Sequence, residues 1–199
     1  MEPYNPASVL SARGLNTVLF SDPYAKLRYM SLLASSFDRV AYIDLDTAFA
    51  ANFSAGLVRA GRVDVYLPSE GQFMSMLKEV LGKMQDYSLV ILDSINSFYT
   101  MYYGYYKRHE KRGGGSLNHL LSAAIMLLVR QGVSTGVPVL VTSMLRYRKQ
   151  GGWKQSPASR RLLQQKSAAR MSVERSEDEI VLKVLEHESV PAGTALFIA

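Results

Sequence analysis

The 199-residue chain contains no cysteine. That absence removes disulfide frameworks, thiolate nucleophiles and cysteine-ligated zinc or iron–sulfur centres together, and a reducing compartment fits it best. Long apolar runs are missing too: the longest, Leu120 to Val129, falls far short of the roughly 18 residues that read as a membrane span. The start, Met-Glu-Pro-Tyr-Asn-Pro, lacks the basic and apolar regions of a secretion signal. The expectation is a cytoplasmic protein without membrane contact. Histidine is scarce, and His109, His119 and His187 are spaced too far apart to read as a metal site. No G-x-S-x-G elbow surrounds Ser94 or Ser143, so a hydrolase nucleophile is unsupported.

What is present is the composition of a folding domain. Hydrophobic residues make up 48% and charged residues 20%, enough apolar side chain for a core and too little charge for a disordered chain. The length suits one domain spanning 1–199. Lys and Arg total 23 against 17 acids, a formal charge of +6. The excess is clustered, which is the arrangement that attracts polyanions.

Four short runs read as strands buried on both faces: Thr17 to Ser21, Arg39 to Asp44, Leu89 to Asp93 and Val137 to Thr142, with a weaker one at Val63 to Leu67. Helical spacing falls between them, at Ala25 to Ser36, Ala48 to Ala60, Glu70 to Asp86 and Leu117 to Gln131. Strands alternating with helices predict an α/β fold with a mostly parallel sheet. Near the C-terminus, Ser167 to Arg175, Glu179 to Glu186 and Thr194 to Ile198 predict antiparallel strands along one sheet edge. Tyr102 to Ser116 and Ser143 to about Lys166 show no clear period and read as long loops, which in a compact domain are functional.

Ligands of a parallel sheet bind beyond the carboxyl ends of its strands. The residues there are Ser21-Asp22, Asp44 to Asp46, Asp93-Ser94 and Thr142-Ser143. Leu89 to Asp93 has the form of a Walker B strand, whose acid holds magnesium in nucleotide-binding ATPases; an acid that caps the next helix would look the same.

Four segments, VAYIDLDTAF (Val40 to Phe49), LVILDSINSFY (Leu89 to Tyr99), VPVLVTS (Val137 to Ser143) and SVPAGTALFIA (Ser189 to Ala199), stand in the order and spacing of the corresponding segments of archaeal RadA-type recombinases. The chain thus resembles the RecA/RadA ATPase core, from about Thr17 onward. The resemblance implies a single RecA-like core without the family's N-terminal DNA-binding domain, and a role in homologous recombination or DNA repair.

The family's first motif is where the chain departs. A Walker A loop needs glycines that turn backbone N–H groups onto the phosphates, followed by a Lys and a hydroxyl. Phe20 to Arg28 has no glycine, carries Pro23, which lacks an N–H, and includes Asp22, whose charge would repel a phosphate. Asp22-Pro23 instead suits a helix N-cap and first turn. The family's catalytic glutamate falls on the shorter Asp46. Lys26, Arg28, Asp46 and Asp93 therefore read as a vestigial nucleotide site, with no cofactor expected and no ATP hydrolysis. The F-x-x-A subunit-docking motif is also missing.

The two irregular segments fall where RadA-like proteins carry the loops that face single-stranded DNA. The first holds Tyr105, Tyr106, Lys107, Arg108, Lys111 and Arg112, with Tyr102 and Tyr103 before them and three glycines after. The second holds Arg146, Arg148, Lys149, Trp153, Lys154, Arg160, Arg161, Lys166 and Arg170, with no acid from Arg146 to Arg170. Cations track phosphates and rings stack on unpaired bases, so this mixture predicts single-stranded DNA binding. A solvated basic face, with tyrosines packed on the core or another subunit, is the plainer reading of the same residues. The resemblance implies a RadA-type recombinase or other repair proteins as partners, and a homo-oligomer fits it too. Two further readings stay open: a nucleotide-free interaction scaffold like the RecA-fold subunits of Elongator, and an enzyme with an altered phosphate site.

Overall fold

The computed structural model describes residues 6–69, 71–108, 114–149, 153–157, 167–176 and 179–198. Among the described residues, nine strands form one sheet: β1 (Leu15–Phe20), β2 (Arg39–Asp44), β3 (Arg62–Tyr66), β4 (Leu89–Asp93), β5 (Val139–Lys149), β6 (Trp153–Pro157), β7 (Ser167–Ser176), β8 (Glu179–Glu186) and β9 (Ala195–Ile198). Their order is β3-β2-β4-β5-β1-β7-β8-β9, with β6 paired to β5. The strands from β3 to β7 along this path run parallel, and β8 and β9 extend the edge antiparallel. The α/β expectation and the antiparallel C-terminal edge hold.

Among the described residues, five α-helices cover the sheet: α1 (Pro23–Ser35), α2 (Ala48–Ser54), α3 (Phe73–Gly82), α4 (Ile95–Arg108) and α5 (Gly114–Thr135). Neighbouring residues of a strand point to opposite faces. In β4, Leu89 and Ile91 join the core beneath α1 with Tyr29, Met30 and Leu33. Val90 and Leu92 join the opposite core, with Leu77 of α3, Phe98 of α4, and Leu121, Ile125 and Leu128 of α5. This double burial is why the parallel strands read as continuous apolar runs.

The structure departs furthest from the sequence expectations at three places. Tyr102 to Ser116 is not a long loop: α4 runs through Arg108 and α5 begins at Gly114. Aromatic residues have modest helix propensity, so packing decides here. Phe98 and Tyr102, one turn apart, sit 5.1 and 6.1 Å from the ring of Phe73 and 4.7 Å from each other. Ser143 to Lys149 continues β5 past the sheet, where it pairs antiparallel with β6 from Leu145↔Pro157 to Lys149↔Trp153. That hairpin satisfies backbone groups that no other strand reaches. Finally, α2 stops at Ser54 rather than Ala60, because Gly56 follows with φ +71°, the left-handed conformation that ends a helix.

The close approach of α5 to β5 depends on Gly132. A Cβ there would lie 2.5 Å from the Val137 carbonyl oxygen and 2.8 Å from Val139 Cγ2. Gly132→Ala should therefore cost about 1–3 kcal/mol of stability, read by urea denaturation. An unchanged midpoint would mean that α5 can lift from β5 freely.

Candidate functional site

Strands β1, β2, β4 and β5 are parallel, so Phe20, Asp44, Asp93 and Thr142 all fall toward one end of the sheet. Helix α1 begins there. Asp22 is its N-cap, and its carboxylate accepts the N–H groups of Tyr24 at 2.7 Å and Ala25 at 3.2 Å, with Pro23 opening the first turn. The N-cap and first-turn reading of Asp22-Pro23 is what the structure has. A negative charge of the chain itself thus occupies the electropositive helix end that would otherwise attract a phosphate.

One turn into α1, Lys26 is 3% exposed and its Nζ points at carboxylates rather than at solvent. It donates to Asp93 Oδ2 at 2.8 Å and Oδ1 at 3.0 Å, and to Asp46 Oδ2 at 3.2 Å. Asp93 is fully buried. Besides Lys26, its Oδ2 accepts the Tyr42 hydroxyl at 2.6 Å and its Oδ1 accepts the Thr142 hydroxyl. Four donor contacts use the lone-pair sites of this carboxylate.

The electrostatics follow from this geometry. Burial pulls the Lys26 ammonium down, but the Asp93 and Asp46 carboxylates outweigh it and hold the pKa above the ordinary lysine value. Burial, reinforced by Asp93, pushes the Tyr42 phenol far up, so it stays a donor. Asp44 is 1% exposed; its Oδ2 accepts the Ala50 N–H at 2.8 Å, while its Oδ1 is buried without a hydrogen-bond partner. Desolvation is the main cause that raises its pKa from 3.8 to about 7, with neighbouring Asp46 and Asp93 adding to it. The turn that carries Asp46 is held by Thr47 at φ 63° and by the Leu45 N–H bonded to the Asp93 carbonyl at 2.6 Å.

Carboxylate oxygens of Asp44, Asp46 and Asp93 lie within 4.8 Å of one another, a donor set of the kind that holds a divalent cation. The Lys26 ammonium already contacts two of these three acids, Asp93 and Asp46, and offsets one of their charges. Together with the Asp22 cap, it leaves an arrangement that does not fit a magnesium–nucleotide.

Of the four residues read as a vestigial nucleotide site, the structure brings Lys26, Asp46 and Asp93 into one network. Arg28 is exposed and stands outside it. The motif pattern does not single out Tyr42; its signal is a polar tip inside an otherwise apolar strand that needs a buried partner. Thr142 and Asp44 are visible in the sequence only as strand-end residues. Of the residues read as nucleic-acid-binding, Tyr105, Tyr106, Lys107 and Arg108 form the last turn of α4, and Arg146, Arg148 and Lys149 lie along β5, with Arg146 exposed. Trp153 and Lys154 lie on β6 and pair with Lys149 and Arg148. Arg170 is apart, in mid-β7 opposite Thr17, bound to Glu186 at 3.2 Å. Lys111, Arg112, Arg160, Arg161 and Lys166 lie outside the described residues.

Removing one partner of a buried ion pair strands the other charge. Lys26→Met should cost about 3–5 kcal/mol in chemical denaturation, and adding Asp93→Asn should recover much of that loss. Additive losses would show that the two groups are energetically independent. Asp44 supplies a pH test. Because its folded pKa lies above the ordinary value, its ionisation disfavours the fold progressively from about pH 4 to about pH 7. Asp44→Asn should therefore gain stability relative to the parent across that window, reaching on the order of 2–4 kcal/mol at pH 8. A difference independent of pH would contradict the assignment.

No protein-family model and no curated protein matches the chain. Among solved structures it is similar to the RadB recombinase, with a TM-score of 0.72, 16% sequence identity, and coverage of 98% of this chain and 93% of that one. At that identity the likeness establishes architecture: the chain is built on the RecA-like α/β core that the RadB recombinase also has.

Proposed function

We propose that the chain is a non-hydrolysing RecA/RadA-like paralogue that binds single-stranded DNA and assists homologous recombination or repair. The observation that carries this reading is Lys26, whose ammonium sits between Asp93 and Asp46 rather than facing a phosphate. A buried, paired lysine is not available to a triphosphate without the cost of exposing Asp93. The N–H groups at the start of α1 are likewise engaged by Asp22. On this reading the chain is not an ATPase, and what remains for it to use is its cationic and aromatic residues.

Those residues lie on two segments. Helix α4 follows β4 and ends in Tyr105, Tyr106, Lys107 and Arg108, while β5 runs past the sheet into the hairpin with β6. On the hairpin, Arg148 lies across from Lys154 and Lys149 from Trp153. Cations at this density suit a phosphate backbone, and Trp and Tyr suit unpaired bases. The sequence resemblance and the shared fold with the RadB recombinase support a place in recombination, with a RadA-type recombinase or another repair protein as partner.

Fluorescence anisotropy with labelled single-stranded DNA at two salt concentrations tests the reading. Affinity should fall steeply with added salt, and replacing Arg146, Arg148, Arg160 and Arg161 by Ala should weaken binding at least tenfold and flatten the salt slope. Asp93→Asn, provided it folds, should leave the slope alone. Mg²⁺-dependent ATP turnover abolished by Asp93→Asn would overturn the non-hydrolysing assignment. Absence of any salt-sensitive binding would overturn the nucleic-acid assignment.

A further inference from the structure

Beyond the two basic segments, a second feature at the same end of the sheet has the chemistry of a nucleotide contact. Helix α1 presents Tyr24 and Arg28 one turn apart, on the face away from the buried Lys26. Strand β7 is parallel to β1, with Val173 beside Phe20, so the Arg175 near its end lies at the start of α1. Arg175 pairs with Ile180 on β8, which pairs with Ile198 on β9. Helix α1 and these strands enclose a surface cavity of about 320 Å³ lined by Tyr24, Arg28, Arg175, Glu179, Ile180, Phe197 and Ile198.

The lining is unusual for a surface that only needs to be soluble. Tyr24 and Phe197 are 55% and 56% exposed, the two rings of the cavity wall left largely uncovered. The Arg175 guanidinium lies 5.6 Å over the Tyr24 ring, so one stacked platform is already assembled. Its floor is apolar, from the buried Ile180 and Ile198. Arg28 and Arg175 give a phosphate its counter-charge, and Glu179 adds an acceptor of the kind that reads an exocyclic amino group. The volume is at the small end of the range of about 300–1,000 Å³ typical of ligand sites.

We infer that this cavity is an additional seat for one unpaired nucleotide of a bound DNA strand, with the base against Tyr24 and Phe197, the phosphate on Arg28 and Glu179 favouring bases that carry an amino group. The inference rests on the single-strand reading above and extends it to a face on the far side of β1 from the hairpin. Each element has its own chemical task. Rings supply stacking that any base satisfies, the arginine supplies a salt-dependent contact, and the carboxylate supplies the discrimination, against thymine, which has no exocyclic amine. A free nucleotide presents the same base and phosphate, so the source of the ligand is decided by experiment.

The test uses the full chain, labelled oligo(dC) and oligo(dT), and free dCMP as competitor. Tyr24→Ala with Phe197→Ala should weaken oligo(dC) binding about tenfold. Arg28→Ala should reduce the salt slope by about 1. The parent should prefer oligo(dC) to oligo(dT), and Glu179→Ala should erase that preference. All four side chains are exposed, so the variants should melt with the parent, and thermal denaturation checks that the loss is not one of folding. Free dCMP should compete only in large excess; dCMP binding that is tight and lost in the Tyr24 and Phe197 variant, with oligonucleotide binding unaffected, would assign the cavity to a free nucleotide and overturn the inference. If the variants bind both strands as the parent does while the Arg146 and Arg148 variants are weakened, the cavity plays no part and the single-strand reading stands. If the parent ignores single strands altogether, the reading on which the inference rests falls first.

Discussion

An ammonium group carried into a protein interior demands compensation, and the contact of Lys26 with Asp93 is where this chain supplies it. Neither charge would be tolerable alone: Lys26 is 3% exposed and Asp93 not at all. Their pairing fixes more than two side chains. Asp93 ends β4, Lys26 belongs to α1, and the hydroxyls of Tyr42 and Thr142 come from β2 and β5. Four neighbouring elements therefore meet on one carboxylate, and a change in the position of any of them is felt by the other three.

The same contact sets the charge balance at the head of α1. In a nucleotide site of this architecture, phosphate charge sits at a helix N-terminus and a metal ion offsets the acid at the end of the neighbouring strand. Here Asp22 provides the negative charge at the helix end and Lys26 the positive charge beside Asp93. The two opposite charges come from the N-cap of α1 and from a residue in its first turns. Asp44 is buried beside two other acids; burial first, and those acids second, make it hold its proton more tightly than an ordinary carboxyl group.

Much of the architecture could be read from sequence because continuous apolar strands and periodic helices are direct records of burial. The strands Arg39–Asp44, Leu89–Asp93 and Glu179–Glu186 have the bounds that their patterns indicate. Helix α4 was not legible, since a run of tyrosines carries no period of its own until Phe73 packs against Phe98 and Tyr102. The hairpin was more accessible than its reading as a loop: two glycines between alternating stretches are a turn signal. At the candidate site, Lys26, Asp46 and Asp93 stood out as motif positions. Which atom each would face was not encoded in spacing, because the orientation of Lys26 is set by the carboxylates that three-dimensional folding brings to it from β4 and from the turn after β2.

Strand β5 carries Thr142 in the buried network and, without interruption, the cationic positions Arg146, Arg148 and Lys149. A stretch of backbone laddered to β6 behaves as a stiff outrigger on the body of the molecule rather than as a tether. Its backbone conformational freedom is already surrendered on folding. Strand geometry also fixes the spacing of these positions along the backbone.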